Sequence, residues 1–170
     1  MNSIAKFEFV SKGRFTDDAV NVMDISEPDA GEAYARIMIP QRATEGSAGY
    51  DFYSPFDIEL EAGQSILIPT GIKARMDDGW VLLLFPRSGL GFRYRFQLDN
   101  SVGVIDRDYY DNPKNEGHIM AKMTNDSREG KTLSIKAGQA FMQGVFVPFG
   151  RAEEEEVTRK REAGFGSTTR

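Results

Sequence analysis

Short runs of Val, Ile, Phe and Tyr recur between Gly, Pro, Asn and Asp residues, and long segments with a 3.6-residue apolar period are scarce. This pattern is typical of β-strands joined by tight turns, so it predicts an all-β fold. Strict alternation over residues 57–61 predicts a strand with one face in the core and one in water. The predicted strands are 35–39, 56–61, 65–69, 81–85, 119–123, 132–135 and 141–147.

The composition excludes several classes of protein. The chain has 170 residues, which suits one domain, and it has no cysteine for a disulfide framework or a Cys-based zinc site. The start lacks the pattern of a signal peptide, and no apolar stretch approaches the ~20 residues of a membrane helix. A net charge of −5 disfavours broad binding to nucleic acid. We therefore expect a soluble protein with no membrane contact and no stable nucleic-acid binding.

The two ends of the chain differ from its middle. Residues 11–31 mix charge, Asp, Pro and Gly with scattered apolar residues, which predicts an N-terminal extension over 1–32. Residues 33–150 then form the β domain. The domain is followed by an acidic run, three cations and a Gly/Ser/Thr-rich end with one aromatic residue. Residues 151–170 are therefore interpreted as a flexible arm able to order over a ligand.

Residues 86–89, Pro-Arg-Ser-Gly, follow an apolar run, which brings a cation, a hydroxyl and a permissive Gly to a strand end. Backbone N–H groups near Ser88 and Gly89 could hold phosphate oxygens, and Arg87 could add charge-assisted hydrogen bonds. A turn with a surface arginine is the plainer alternative.

Residues 100–109 place an apolar pair between Gly103 and the carboxylate of Asp106, with Tyr109 three residues beyond. Such a carboxylate can accept a proton from an attacking water, and the tyrosine can stack on a ring or a sugar. A strand that runs into an Asx turn explains the same residues without chemistry.

Two oxygen donors complete the candidate set. Asp51 could steer a magnesium ion directly or through its waters, although a turn aspartate is equally consistent with its surroundings. Gln143 is a polar residue in an apolar strand, so it could reach a phosphate or a metal-bound water, or lie on a solvated face.

Taken in order, five segments resemble the five motifs of the trimeric dUTPase family, in its bacterial and phage branch. The segments are 48–51, 86–90, 103–106, 138–143 and 164–168. Any one of them is weak, but their joint order and spacing is specific. The resemblance implies a distorted β-barrel or jelly-roll subunit, a homotrimer with shared active sites, a cytoplasmic location in a bacterium or a phage-infected cell, and hydrolysis of dUTP to dUMP and pyrophosphate.

The resemblance also implies roles for single residues. Asp106 would activate the water that attacks the α-phosphate, and Tyr109 would pack under the deoxyribose. Asp51 and Gln143 would position the waters of a Mg²⁺ ion. The residues expected to bind substrate are Arg87, Ser88, Gly89, Asn100, Gly103, Val104, Ile105, Tyr109, Met120, Gln143, Lys160, Arg161, Phe165, Gly166, Ser167 and Thr168.

The chain departs from the family pattern at three places. Residues 110–116 look like a short insertion after the third motif, and either Lys160 or Arg161 could supply the cation of the fifth. In the same fifth motif, Ala163 replaces the first of two adjacent glycines. The segment before about Glu32 has no counterpart in the family core.

Two other functions remain open. A dCTP deaminase shares the fold, but residues 117–123 contain no carboxylate where that enzyme carries its glutamate. The chain's lone histidine, His118, more often marks a structural or surface position than a general base. A regulatory trimer whose extension or 110–116 insertion docks on a protein partner is the alternative from another class.

Overall fold

The computed structural model describes residues 3–154. Three α-helices are present: α1 Lys12–Met23, α2 Glu27–Ala35 and α3 Ser88–Tyr94. A 3-10 helix covers Arg107–Tyr109. The strands are β1 Ala5–Phe9, β2 Gln41–Arg42, β3 Tyr50–Tyr53, β4 Ile58–Leu60, β5 Ser65–Pro69, β6 Ile72–Met76, β7 Trp80–Pro86, β8 Phe96–Leu98, β9 Gly103–Ile105, β10 Met120–Asn125, β11 Leu133–Ile135 and β12 Ala140–Pro148.

The described strands form four small antiparallel sheets. The largest has the order β2-β3-β12-β7-β9, and a second has the order β5-β10-β8. Two-stranded sheets pair β1 with β6 and β11 with β4. The sheets share one apolar core, whose fully buried side chains include Phe52, Ile68, Leu82, Phe96 and Phe141. The fold was predicted as all-β, and its strand-dominated class is confirmed, with three α-helices among the described residues in addition.

Six of the seven predicted strands are present, with ends that shift by one or two residues. The strand predicted at 35–39 is wrong, because α2 extends through Ala35 and residues 36–39 form a turn and irregular backbone. The Ser26 hydroxyl caps the start of α2 by accepting from the Asp29 N–H, and Pro28 occupies the first turn, where its missing N–H is not needed. The backbone N–H groups of Arg36 and Ile37 then close the last turn on the carbonyls of Ala33 and Tyr34, respectively.

The described part of the N-terminal extension is ordered and packs on the β domain. Strand β1 pairs with β6 in a register that matches Phe7 with Ala74. Helix α1 starts at the capping residue Ser11, whose hydroxyl accepts from the Arg14 N–H, and it buries Phe15 and Ala19 in the common core. No helix among residues 3–154 is long and apolar enough to cross a membrane.

The 110–116 insertion is held against β1 and β6. The Tyr110 hydroxyl donates to the Glu8 carboxylate at 2.6 Å, which raises the pKa of Tyr110 to about 12. Lys73 contacts Asp111 at 2.5 Å, and its ammonium lies 5.0 Å from the centre of the Tyr110 ring. The insertion is therefore a fixed part of the subunit surface.

Candidate active site

Strand β12 brings together three residues that are far apart in sequence. It is flanked by β3 and β7, and the register places Gln143 opposite Asp51 on one side and opposite Phe85 on the other. Arg87 follows the end of β7, and its backbone N–H donates to the carbonyl of Phe141. The order of the sheet thus converts three separate motifs into one cluster.

The side chains of this cluster contact each other or the backbone around them. Arg87 Nε lies 3.3 Å from Asp51 Oδ1, with 44% of the arginine side chain and 15% of the aspartate side chain exposed. Gln143 Nε2 donates to the carbonyl of Pro86 at 3.3 Å. A Cβ at Gly49 would collide with Gln143 Oε1, so the glycine leaves the space that the amide occupies. The result is a partly open cation beside two oxygen donors.

Helix α3 places backbone donors next to the cluster. Arg87 is its N-cap residue, and Ser88 and Gly89 form its first turn. First-turn N–H groups have no acceptor within their own helix, so they are available to an external oxygen. The sequence predicted a phosphate loop here but not that a helix begins in it.

Strands β8 and β10 pair antiparallel, with Leu98 opposite Met123, and the residues between them, 99–122, are called the hairpin below. Residues of the hairpin line a separate cavity of about 390 Å³. Of the predicted residues, Asn100, Gly103 and Met120 lie on its wall. This volume is within the range of small-molecule pockets. Sequence analysis missed Asp99 and Lys122, whose charged groups lie 3.5 Å apart at the same cavity. Asp99 directly precedes Asn100, which is the one signal that could have identified it.

Asp106 and Tyr109 lie where β9 ends. The backbone N–H of Tyr109 donates to the Asp106 carbonyl at 3.1 Å, so the two residues share one tight turn. Asp106 is half-buried, whereas Tyr109 keeps only 3% of its surface exposed. On β9, Ile105 faces the core and Val104 is 54% exposed. The predicted catalytic carboxylate is therefore half-buried and directly follows the edge strand β9.

The cluster of Asp51, Arg87 and Gln143 lies at one end of β7, and Asp106 lies at the other. Strand β9 is antiparallel to β7, with Ile105 opposite Leu82 and Gly103 opposite Leu84. Asp106 therefore lies beside the start of β7, while Arg87 follows its end. At about 3.3 Å per residue, this separates the two by roughly 20 Å within one chain.

The residues fit a magnesium ion only in a particular way. The described residues contain no group of three or more His, Cys, Asp or Glu that could enclose a metal. Magnesium, however, commonly keeps several waters and binds through one or two carboxylates plus substrate phosphates. Asp51 and Gln143 suit that arrangement, as hydrogen-bond partners of metal-bound waters. The predicted residues Lys160, Arg161, Phe165, Gly166, Ser167 and Thr168 lie outside the described residues.

Comparison with known proteins gives a consistent result. The dUTPase family profile matches residues 35–169. A deoxyuridine 5'-triphosphate nucleotidohydrolase of Lactococcus lactis subsp. lactis (strain IL1403) is 46% identical over 136 residues, which is 79% of this chain and 89% of the relative. The crystal structure of dUTPase from Streptococcus mutans superposes with a TM-score of 0.64 at 39% identity, over 86% of this chain and 98% of that one.

Phage enzymes share the fold at lower identity. A dUTPase from phage phi11 of S. aureus, solved to show its species-specific insert, has a TM-score of 0.64 at 20% identity, over 93% of this chain and 97% of that one. A mutant of the phi11 enzyme coordinates a structural Mg(II) ion. Because the family profile spans most of the chain and a curated relative exceeds two fifths identity, the chain belongs to the dUTPase family.

Proposed function

We propose that the protein is a dUTP diphosphatase, which hydrolyses dUTP to dUMP and pyrophosphate. This reaction would keep uracil out of DNA and supply dUMP for dTMP synthesis. The observation that carries the proposal is that Asp51, Arg87 and Gln143 meet beside β12. The same chain also has a separate cavity in its hairpin and a half-buried aspartate, Asp106, at the end of β9.

Asp106 is the proposed general base. Its carboxylate takes a proton from a water as that water oxygen bonds to the α-phosphorus, and the bond to the bridging oxygen of pyrophosphate breaks. The tight turn to Tyr109 fixes the carboxylate near the sugar end of the substrate. Tyr109 forms the floor under the deoxyribose and leaves no space for a 2′-hydroxyl, which excludes UTP.

The hairpin cavity is the proposed uracil site. Asn100 and the backbone at Gly103, Val104, Ile105 and Met120 present polar groups to the edge of the base. Cavity walls that also include Leu67 and Leu84 leave the ring in an apolar setting. A base that lacks the matching donors and acceptors would leave buried groups unpaired, which gives selectivity.

Arg87, with the first-turn groups of Ser88 and Gly89, is the proposed phosphate-binding element. Asp51 and Gln143 would hold waters of Mg²⁺, which when bound neutralises charge on the leaving pyrophosphate. The arm over 151–170 would close the site, with Phe165 on the uracil, Gly166, Ser167 and Thr168 on the phosphates, and Lys160 or Arg161 as the cation.

Separation along β7 supports a site shared between copies of the chain. The α-phosphate and the phosphates held by Arg87 are neighbours in one nucleotide, yet Asp106 and Arg87 of one subunit are roughly 20 Å apart. One chain cannot offer both groups to one substrate. A homotrimer in which Asp106 of one subunit faces Arg87 of the next satisfies the geometry.

The described residues supply no observation in favour of the alternative function, a regulatory trimer that docks a protein partner. Both added segments are instead engaged within their own subunit. The Tyr110 hydroxyl bonds Glu8, and the Ser11 backbone N–H and hydroxyl bond Glu116.

Pyrophosphate release from dUTP, dCTP, UTP and dTTP with magnesium tests the proposal. Release from dUTP alone is expected for the native chain. Asp106→Asn should lower the rate by about 10²–10⁴-fold while dUTP still binds, because the amide cannot accept the proton. Unchanged turnover in Asp106→Asn would remove that residue from the mechanism, and dUTP that binds but is never cleaved by the native chain would refute the function.

A further inference from the structure

The N-terminal extension and the 110–116 insertion contact each other at the start of α1. The backbone N–H and the hydroxyl of Ser11 donate to the two carboxylate oxygens of Glu116, at 2.8 and 2.6 Å. Arg14 Nη1 donates to the carbonyl of Lys114 at 3.3 Å. Ser11 is the N-cap of α1, so the insertion is hydrogen-bonded to the start of that helix. Helix α1 precedes residue 35, where the match to the family profile begins.

His118 connects α1 to the hairpin. Its side chain is completely buried, and Nε2 accepts a hydrogen bond from the Gly71 N–H at 2.8 Å. The hydrogen is therefore assigned to Nδ1, which donates to Asp18 Oδ2 at 2.6 Å. Arg14 holds the same carboxylate through contacts of 2.6 and 3.0 Å. Both ring nitrogens of His118 are thus fixed, one of them by α1.

Tyr109 in turn depends on the backbone of His118. The Tyr109 hydroxyl donates to the His118 carbonyl at 2.8 Å and accepts from Asn115 Nδ2 at 2.8 Å. Asn112 Nδ2 donates to the Tyr109 carbonyl at 3.1 Å. Hydrogen bonds to the side chain and to the carbonyl of His118 therefore link α1, through that one residue, to the ring that forms the proposed sugar floor.

We propose that α1 is a positioning element of the nucleotide site, in which Asp18 acts through His118 to fix Tyr109 and so sets how strictly a ribonucleotide is refused. The inference rests on the proposed function, from which it takes the contact between Tyr109 and the deoxyribose. The Tyr109 ring can exclude a 2′-hydroxyl only while the ring is held in place. If the ring shifts slightly, it makes room for the additional oxygen of a ribonucleotide.

The preference for a deoxyribonucleotide over a ribonucleotide is measured by binding, so the test does not require turnover. Isothermal titration gives the dissociation constants of the α,β-imido analogues of dUTP and UTP for the native chain and each variant, below all unfolding temperatures. Asp18→Ala removes the acceptor of His118 and should narrow the preference for the deoxy analogue by about tenfold. Asp18→Asn keeps an acceptor oxygen and should restore part of it. Asp17→Ala, an exposed carboxylate on the same helix, is the matched control.

Each outcome decides the inference. The inference is supported if the ratio of the two dissociation constants, UTP analogue over dUTP analogue, falls in Asp18→Ala, recovers in part in Asp18→Asn and stays native in Asp17→Ala. A native ratio in Asp18→Ala, whatever its unfolding temperature, overturns it and leaves α1 a purely stabilising helix, as does a native chain that binds both analogues equally. If Asp18→Ala does not fold, Arg14→Ala, which loosens the carboxylate, is measured instead, and an unchanged ratio there overturns the inference. A native chain that prefers the deoxy analogue but cleaves no dUTP refutes only the proposed function.

Discussion

Replacing Gly117 by alanine should strongly destabilise the protein, for two separable reasons. Gly117 has φ +76°, a conformation that costs a residue with a Cβ about 1–2 kcal/mol. The new Cβ would also lie 2.5 Å from the Tyr109 carbonyl oxygen, 2.9 Å from Tyr110 Cα and 3.1 Å from the Asp111 nitrogen. All three are backbone atoms, so relief requires the loop to move, at about 1–3 kcal/mol. The expected loss is about 2–5 kcal/mol, a large share of a typical folding free energy.

Gly130→Ala separates the two contributions. Gly130 has φ +68°, but nothing lies within 4 Å of a Cβ built there, so that variant should lose only the conformational part. Urea unfolding measures both losses, at one matched protein concentration because the proposed trimer would make stability depend on concentration. Gly117→Ala should lose about 1–3 kcal/mol more than Gly130→Ala. Equal losses would show that the insertion adapts freely and would refute the close packing of Gly117 on Tyr109.

Three further outcomes are expected. Gly49→Ala should displace the Gln143 amide and raise the magnesium concentration needed for half-maximal pyrophosphate release. Its loss of unfolding free energy in urea should be smaller than that of Gly117→Ala, because the atom in the way ends a flexible side chain. Arg87→Ala should weaken nucleotide binding in calorimetry but change the free energy of unfolding by only about 0–1 kcal/mol, since its ion pair is partly exposed. Burial raises the pKa of Asp18, but hydrogen bonds from His118 and Arg14 outweigh burial, so the net pKa is lowered. The native chain should therefore be more stable than Asp18→Asn, with the full advantage above about pH 4. In urea unfolding at pH 3 that advantage should shrink, because the carboxylate begins to be protonated.

The sequence predicts the β domain well where apolar residues are large and continuous. Strand β5 is predicted with its observed ends, and β7 and β12 with ends one residue short. Strand β6 was missed although Ile72, Ala74 and Met76 alternate with exposed or half-buried residues, so the period-two signal was present.

Helices α1 and α2 were missed for a physical reason. The residues that α2 buries are Ala30 and Ala33, whose small side chains give a weak apolar period. Capping residues were the better signal, since Ser11 and Ser26 each accept from an N–H three residues on. The extension gains its order from the tertiary contacts of α1 and β1 with the β domain.

The site could be predicted as a set of residues but not as an arrangement. Asp51, Arg87 and Gln143 are identified by residue type and motif, whereas their meeting depends on β12 lying between β3 and β7. The distance from Arg87 to Asp106 likewise follows from the antiparallel register of β9 on β7. Register is fixed by long-range pairing, which local sequence does not encode.

The ion pair between Arg87 and Asp51 bears on the order in which ligands bind. The proposed function assigns Arg87 to phosphate and Asp51 to metal-bound water, yet the two groups lie 3.3 Å apart and neutralise each other. Free magnesium or free triphosphate would break the pair and leave one charge unmatched. The magnesium–nucleotide complex brings both counter-charges at once, and replaces one partly exposed pair, worth about 0–1 kcal/mol, by two charge-assisted contacts. Under the proposed function, the cluster would therefore favour the complex over either component alone, and metal and nucleotide binding would be mutually dependent.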